Sequence, residues 1–208
     1  EDGVEIWAPT QAQSLAQDVA AAITGFDREQ VKVHTTYLGG GFGRRGLADF
    51  VAEAVRVAMR TERPVQVIWT REDDTQGGFY RPSTYNQMYG AVDAKGDAVA
   101  WSHHVVTQSI IAQESLLGPM TQGMFPRALQ SMLTKSSLGL FRSGSVPGIL
   151  AAEGARELPY AIENLRFDYT PVNTDVTVSF WRSVGHSNNG FVVESFIDEM
   201  AHAAKKDP

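Results

Sequence analysis

The sequence predicts an α+β fold in which mixed β-sheets pack against helices. Extended, β-branched runs and runs with apolar residues at helical spacing both occur along the chain. A hairpin signal, in which two extended runs flank a short turn, lies near the middle. A length of 208 residues suits one large domain or two small lobes, and we expect lobes at about 1–110 and 111–208.

The first predicted elements alternate between strand and helix. VEIWA at 4–8 has the composition of a strand. A helix is expected over about 11–24 with Thr10 as its N-cap, because a threonine hydroxyl can accept a hydrogen bond from the first turn. VKVHTTYL at 31–38 is rich in β-branched residues and is therefore predicted to be extended.

A glycine-rich stretch, YLGGGFGRRG at 37–46, follows the second predicted strand. The next helix is predicted at 47–60, where apolar residues recur at helical spacing, and VQVIW at 65–69 is predicted to form a strand. Glycine loses more backbone freedom on folding than any other residue. So dense a cluster therefore indicates that some group approaches this backbone closely.

The second half of the chain is predicted to contain a hairpin, a long loop and a final helix. The hairpin turns at 93–96, with the sequence DAKG. Residues 114–148 are rich in Gly, Ser, Met and Pro, and we expect a loop with one helix at about 126–138. ENLRFDYTPVNT and VTVSFW are predicted to be extended, and a helix is predicted at 190–206.

Composition argues against several classes of function. A formal net charge of -6 argues against a nucleic-acid surface, since neutralising phosphates needs a basic face. With 0 cysteines, this chain offers no disulfide, no iron–sulfur ligand and no thiolate nucleophile. No apolar run approaches the roughly 20 residues that a membrane span needs.

Within the glycine-rich stretch, Gly41, Gly43 and Gly46 match G-x-G-x-x-G, the dinucleotide-binding fingerprint. Glycines there let backbone N–H groups approach a pyrophosphate at a helix N-terminus. Two features weaken this interpretation. The preceding strand is half-polar rather than apolar throughout, and the acid expected about 20 residues later, Glu62, falls before the next strand. A glycine-rich connection without any ligand is a further alternative.

Three motifs, in order, resemble those of a known family. They are WAPTQ (7–11), LGGGFGRR (38–45) and VSFWRSVGHSNNGFVVESFIDEMA (178–201). Together they resemble the molybdenum-binding large subunit of the xanthine oxidase family of molybdenum hydroxylases, most of all its isoquinoline 1-oxidoreductase beta-chain group. The resemblance is vaguest over 112–150. It implies that residues 1–208 are part of a molybdopterin-binding domain and form an internal segment of a longer subunit. The segment alone is expected to be inactive.

The resemblance implies a role for each matching residue. Gln11 matches a catalytic glutamine whose amide reaches an oxygen ligand of the metal, and Arg44 would be a phosphate partner. The cofactor-binding residues that it implies are Gly40, Gly41, Phe42, Gly43, Arg44, Trp181, Arg182, Gly185 and His186. No metal-ligating residue is predicted, because the pterin sulfurs hold the molybdenum. Such an anionic group needs backbone N–H donors and close approach, which glycine loops supply.

The resemblance also implies cofactors, partners and a reaction. The cofactor would be molybdopterin with molybdenum, in its cytosine dinucleotide form, and a partner alpha subunit would carry iron–sulfur clusters. The whole enzyme would oxidise an N-heterocycle or an aldehyde with water-derived oxygen, using a catalytic base that this chain lacks. The family's purine-contacting glutamate aligns with Gly46, so purines are not expected. An NAD- or FAD-dependent oxidoreductase and a non-catalytic binding or assembly domain are the alternative functions.

Other polar residues are assigned structural roles. His103 and His104 are adjacent in a predicted strand, so they point to opposite faces and cannot chelate one metal together. The acidic run at 72–74 is typical of a helix entry or turn. Glu194 and Asp198 lie one turn apart and are predicted to share a face near a helix N-terminus, where negative charge is favourable.

Overall fold

The computed structural model describes residues 3–111, 127–143 and 149–208. Two compact units are present, and each is built from three segments of the chain. The first comprises Glu1–Tyr80, Ile111–Gly139 and Thr177–Trp181, and the second comprises Arg81–Ile110, Leu140–Val176 and Arg182–Pro208. Both contain helices packed with strands, which confirms the predicted α+β class. No described helix is both long enough and apolar enough to cross a membrane.

The first unit contains a parallel pair of strands joined by a helix. β1 (Val4–Ala8) pairs with β2 (Val31–Thr35) from Val4 opposite Val31 to Ala8 opposite Thr35. α1 (Gln13–Thr24) connects them and ends at Gly25, whose φ of 83° allows the left-handed turn that closes the helix. A parallel pair needs such a crossover, because a tight turn can join only antiparallel strands.

The N-terminus of α1 differs from the prediction. The helix begins at Gln13, with Ala12 at the N-cap position, rather than at residue 11. Thr10 is fully buried; its hydroxyl accepts from the N–H of Ala12 at 3.0 Å and donates to the carbonyl of Arg45 at 3.3 Å. Thr10 is therefore wrong as an N-cap, because its hydroxyl bonds to the loop before the helix and to a distant segment.

Apolar faces of β1, β2, α1 and a second helix form the core of the first unit. α2 (Asp49–Thr61) packs on α1 and presents Val51 and Val55 to the strands. The buried members of this cluster are Ile6, Ala8, Ala16, Ala20, Val31, Val51 and Val55. Val19 of α1 packs with Ala48 and Ala52 in a second, smaller cluster.

The prediction of a strand at 65–69 is wrong. Within the described residues this run pairs with no strand, and Ile68 is 76% exposed. β-branched composition alone does not make a strand when no neighbouring strand satisfies its backbone. Instead, the Trp69 indole N–H donates to Glu53 of α2 at 2.9 Å.

α3 (Arg71–Gly77) follows, and its first turn holds the acidic run at 72–74. The Thr70 hydroxyl accepts from the N–H of Asp73, while the Asp73 carboxylate accepts from the N–H of Thr70, each at 3.1 Å. This reciprocal capping box confirms the predicted helix entry.

The second unit contains a mixed three-stranded sheet in the order β3-β4-β5. β3 (Thr84–Val92) and β4 (Ala98–Gln108) are antiparallel, and β5 (Asn164–Val172) lies parallel to β4. The predicted hairpin is confirmed. The Asp93 carboxylate accepts from the N–H groups of Lys95 and Asp97 at 2.8 and 2.9 Å, and Gly96 has a φ of 78°.

The final helix of the chain covers one face of this sheet. α6 (Val184–Ala204) packs Val193 and Met200 against the buried Trp101 of β4. A β-carbon at Gly90 of β3 would lie 2.6 Å from the Met200 sulfur, so a side chain there would displace the end of Met200. α6 begins at Val184 rather than near 190, so the predicted start is wrong.

Three other predicted regions can be compared with the structure. The predicted position of Glu194 and Asp198 near a helix N-terminus is wrong, because both lie in the middle of α6. The run at 176–181 makes one parallel bridge, between Val178 and Tyr80, rather than a strand. α4 (Arg127–Arg142) confirms the helix predicted at about 126–138 within the predicted loop region 114–148, of which 114–126 and 144–148 fall outside the described residues. α5 (Ile149–Ala152) follows that region.

Candidate functional site

Gln11 and the glycine-rich loop meet at one edge of the β1–β2 pair. Because the two strands are parallel, the chain leaves both of them at the same edge. The N–H of Gln11 donates to the carbonyl of Arg45 at 2.9 Å, beside the bond from Thr10 to the same oxygen. These two bonds fix the residues after β1 against the end of the loop after β2.

The side chain of Gln11 lies directly against the loop backbone. A β-carbon at Gly41 would lie 2.3 Å from Gln11 Oε1 and 2.8 Å from its Cδ. Any side chain at position 41 would therefore displace the glutamine. The structure thus brings together two of the predicted site residues, Gln11 and Gly41.

The loop backbone is strongly curved at Gly40, Phe42 and Gly43. Gly40 and Gly43 have φ values of 116° and 92°, and Phe42 has a φ of 50°, in the left-handed region that favours glycine. The Phe42 ring is 62% exposed and lies over Gly40, where a β-carbon would be 2.4 Å from its Cε2. A phenylalanine in this conformation marks a strained backbone, of the kind that is concentrated at ligand sites.

Four consecutive backbone donors in this loop have no acceptor among the described residues. The N–H groups of residues 40–43 make no hydrogen bond to the part of the chain that the structure describes. The loop is instead held by its carbonyls: that of Gly41 accepts from the N–H groups of Arg44 and Arg45, and that of Gly43 accepts from Gly46. Successive free N–H groups in a tight turn suit an anionic ligand, so this donor set fits the implied molybdenum cofactor.

Gly43 packs against the chain before Trp181. A β-carbon at Gly43 would lie 2.5 Å from the carbonyl oxygen of Phe180 and 2.9 Å from the Cα of Trp181. The Trp181 indole N–H donates to the carbonyl of Phe79 at 3.0 Å, and the side chain is 45% exposed. The half-exposed Trp181 side chain therefore flanks the glycine-rich loop.

Arg44 is held by its own chain. Its guanidinium makes a bidentate pair with Asp49 at the start of α2, with N–O distances of 2.6 and 2.8 Å. The rings of Phe50 and Phe79 lie 5.5 and 5.3 Å from its Cζ. Arg45 lies over Phe50 as well, at 5.2 Å. Any role for Arg44 with a phosphate would have to coexist with the Asp49 pair.

The third glycine of the dinucleotide-like pattern is not a packing residue. A β-carbon at Gly46 would meet no described atom within 4 Å. In a dinucleotide fold the third glycine is needed for close packing between helix and strand. Gly46 does not have that environment, which weighs against the nicotinamide or flavin interpretation.

Arg182, Gly185 and His186 belong to the second unit. The carbonyl of Arg182 accepts from Arg81 Nη2 at 3.1 Å. Gly185 is buried, and its N–H donates to the carboxylate of Glu153 at 3.1 Å. His186 Nδ1 lies 3.6 Å from the same carboxylate oxygen. Residues 186–189, which precede the predicted helix at 190–206, form the first turns of α6.

Sequence reasoning missed Glu153 and the structural roles of Thr10 and Asn189 in these sites. Thr10 ties the segment after β1 to the glycine loop, and Glu153 bonds to the start of α6. Asn189 is fully buried and donates to the carbonyls of Ala151 and Glu153 at 2.7 and 2.9 Å. Their partners lie 32 to 38 positions away in sequence, so no local pattern identifies them.

Comparison with known proteins finds relatives among oxidoreductase and dehydrogenase subunits. The chain is 26% identical to the beta chain of isoquinoline 1-oxidoreductase from Brevundimonas diminuta, over 100% of this chain and 24% of that protein. It is 25% identical to one subunit of nicotinate dehydrogenase from Pseudomonas putida, over 99% of this chain and 16% of that protein. The chain thus spans a quarter or less of these curated relatives.

The fold and the family agree with these likenesses. The crystal structure of quinoline 2-oxidoreductase from Pseudomonas putida 86 matches 98% of this chain and 23% of that chain, with a TM-score of 0.72 and 17% identity, which is a likeness of fold. Residues 1–135, more than half of the chain, match the family described as the molybdopterin cofactor-binding domain. The chain therefore belongs to the molybdopterin cofactor-binding domain family.

Proposed function

We propose that this chain forms part of the cofactor cradle of a molybdenum hydroxylase, with the loop at 40–43 and Gln11 as its donors. The observation that carries the proposal is the run of four backbone N–H groups without a described protein acceptor, beside the Gln11 amide. When bound, the molybdenum cofactor supplies the redox chemistry. The chain supplies binding, orientation and polar stabilisation of that group.

Backbone donors are well suited to this task. They are fixed by the loop geometry before any ligand arrives, so they need no reorganisation when charge develops at the bound group. Gln11 is held at its backbone by Arg45 and pressed against Gly41, which limits where its amide can lie. Its Nε2–H₂ can donate to an oxygen of the cofactor, the role that the resemblance implies.

The substrate class that we propose is an N-heterocycle or an aldehyde. The relatives named above are described as acting on isoquinoline and on nicotinate. A third, from Gluconacetobacter polyoxogenes, is 27% identical over 100% of this chain and 25% of that protein, and its name describes a membrane-bound, pyrroloquinoline-quinone aldehyde dehydrogenase. Two of these names denote subunits, which supports a partner; we propose an iron–sulfur alpha subunit. We also propose the cytosine dinucleotide form of molybdopterin, and that activity requires the rest of the polypeptide.

One experiment tests the proposal directly. The full-length protein is purified together with its partner subunit, treated with acid, and assayed for released molybdenum and released nucleotide. We expect about one molybdenum and one cytosine nucleotide for each copy of this chain. Release of neither from a folded, freshly purified complex would contradict the proposal, and release of an adenine dinucleotide instead would favour the nicotinamide or flavin alternative.

A further inference from the structure

Glu153 follows α5 directly and contacts two residues at the start of α6. Its Oε2 accepts a hydrogen bond from the N–H of Gly185 at 3.1 Å. The same oxygen lies 3.6 Å from His186 Nδ1, which is beyond hydrogen-bond distance. The side chain of Glu153 is 29% exposed, so water screens these contacts only in part.

The backbone on either side of Glu153 is held in place independently. The buried amide of Asn189 donates to the carbonyls of Ala151 and Glu153 at 2.7 and 2.9 Å. A β-carbon at Gly185 would lie 2.0 Å from the carbonyl oxygen of Leu150. The first turns of α6 therefore sit directly on residues 150–153, and the Glu153 carboxylate is fixed at the helix start.

The chemistry at this helix start favours a carboxylate. The first N–H groups of a helix have no partner within it, and the helix dipole places partial positive charge there. Glu153 supplies both an acceptor and a negative charge. Because the Glu153 carboxylate already accepts from the N–H of Gly185, that donor is not available to an anionic cofactor. Gly185 instead allows the close packing of α6 on residue 150.

We propose that Glu153 is a positioning residue that fixes the start of α6 and with it the orientation of His186. The proposal rests on the proposed function only in counting His186 among the residues that contact the cofactor. Gly154, with a φ of 73°, leaves room for the His186 ring, since a β-carbon there would lie 3.1 Å from His186 Cδ2. The ring, whose side chain is 63% exposed, thus lies beside both Gly154 and the Glu153 carboxylate.

The test compares Glu153→Ala and Glu153→Gln in the full-length protein with its partner subunit. Hydrogen exchange of peptides covering 183–189 is measured after cofactor removal, and molybdenum content is measured before it. We expect Glu153→Ala to exchange at Gly185 roughly tenfold faster and to lose most of its molybdenum. Glu153→Gln should keep the protection, because its amide oxygen still accepts from Gly185, and retain most of the molybdenum.

A control variant and a substitute variant complete the test. Glu157→Gln changes an exposed glutamate nearby, whose side chain is 85% exposed, and should match the wild type in both measurements. If Glu153→Ala does not fold, Glu153→Asp keeps the charge but shortens the reach and should show the same losses.

Each remaining outcome decides one of the two proposals. Unchanged hydrogen exchange in Glu153→Ala would overturn the positioning role, and so would equal losses in Glu153→Gln. A Glu153→Ala variant that loses exchange protection at Gly185 but keeps the wild-type molybdenum content would overturn it as well. Absence of molybdenum from the wild type, with the exchange pattern as expected, would overturn the proposed function and leave the Glu153–Gly185 contact supported.

Discussion

At the scale of single residues, Gln11 and the loop glycines form one interlocked group. Gln11 fills the space that a side chain at Gly41 would take, and Phe180 and Trp181 fill the space beside Gly43. Gly43 is thus required by packing against backbone atoms, whereas a side chain at position 41 would displace the glutamine. The same loop geometry leaves the N–H groups of 40–43 without a described acceptor. The residues that pack this loop and the donors that we propose for the cofactor therefore belong to the same short segment.

Replacing Gln11 by Ala in the full-length enzyme is expected to lower kcat by about tenfold to a hundredfold, because one oriented donor at the reacting group is lost. Molybdenum content should stay near the wild-type level, since the backbone donors remain. Steady-state kinetics with metal analysis on the same preparation measures both. Gln76→Ala, at an exposed glutamine of α3, is the matched control and should leave kcat unchanged. Unchanged turnover in Gln11→Ala would contradict the assigned role.

Replacing Gly43 by Ala is expected to destabilise the protein by about 2–4 kcal/mol, because the new methyl meets backbone atoms and the positive φ is strained. Urea unfolding of the cofactor-free protein measures the change. Gly46→Ala is the control: its methyl meets no described atom and should change stability by less than about 0.5 kcal/mol. Equal losses for both variants would show that the contact with Phe180 does not set the requirement for glycine.

At the scale of secondary-structure elements, the sheet of the second unit separates two adjacent histidines. His103 is fully buried on the face covered by α6, and its Nε2 pairs with Asn86 Oδ1 at 2.8 Å. His104 points to the other face and pairs with Thr170 at 2.8 Å. The alternation of a strand therefore gives two neighbouring identical residues different chemistry, and the predicted opposite orientation is confirmed.

The buried histidine makes stability depend on pH. Burial lowers the pKa of His103 from 6.5 to about 4, and the charge of His104 acts in the same direction. The unfolded chain thus binds a proton more readily, so stability is lost as pH falls from about 6.5 to about 4, with a slope of at most about 1.4 kcal/mol per pH unit. His103→Gln should remove this slope in urea unfolding across that range. Parallel curves for the two proteins would contradict the prediction.

At the scale of the whole molecule, the family assignment changes how the glycine pattern is understood. G-x-G-x-x-G alone is compatible with a nicotinamide or flavin enzyme. In this fold the strand before it pairs with one parallel neighbour, and a β-carbon at Gly46 would meet no described atom. The loop thus lies in a different setting from a dinucleotide fold, and the match of residues 1–135 to the molybdopterin cofactor-binding domain agrees with this.

Binding experiments distinguish the two cofactor classes. The cofactor-free full-length protein should give no saturable fluorescence change with NAD or FAD. It should respond to molybdopterin cytosine dinucleotide, because the N–H donors of 40–43 suit its anionic group. Buffer with free cytidine monophosphate serves as the control for binding of the nucleotide part alone. Saturable binding of NAD or FAD would favour the rival function.

Much of the local structure could be predicted from the sequence, because local physics decides it. β1, α2 and the hairpin at 93–96 follow from β-branched composition, helical spacing and turn chemistry. The strand predicted at 65–69 was wrong, since a strand needs a partner that composition does not reveal. The prediction misses the start of α6 as well, because the partners of Gly185 and Asn189 there lie in a distant segment, at the Glu153 carboxylate and the Ala151 carbonyl.

By itself, the sequence determined the α+β class, the family and the glycine loop with Gln11, since motifs and periodicity are written in neighbouring residues. Only the tertiary structure decided which donors are free and which are used. In the folded chain Arg44 pairs with Asp49, and the Gly185 N–H donates to Glu153. The N–H groups of 40–43 have no described acceptor. Hydrogen-bond partners depend on three-dimensional proximity, and a linear pattern does not encode that proximity directly.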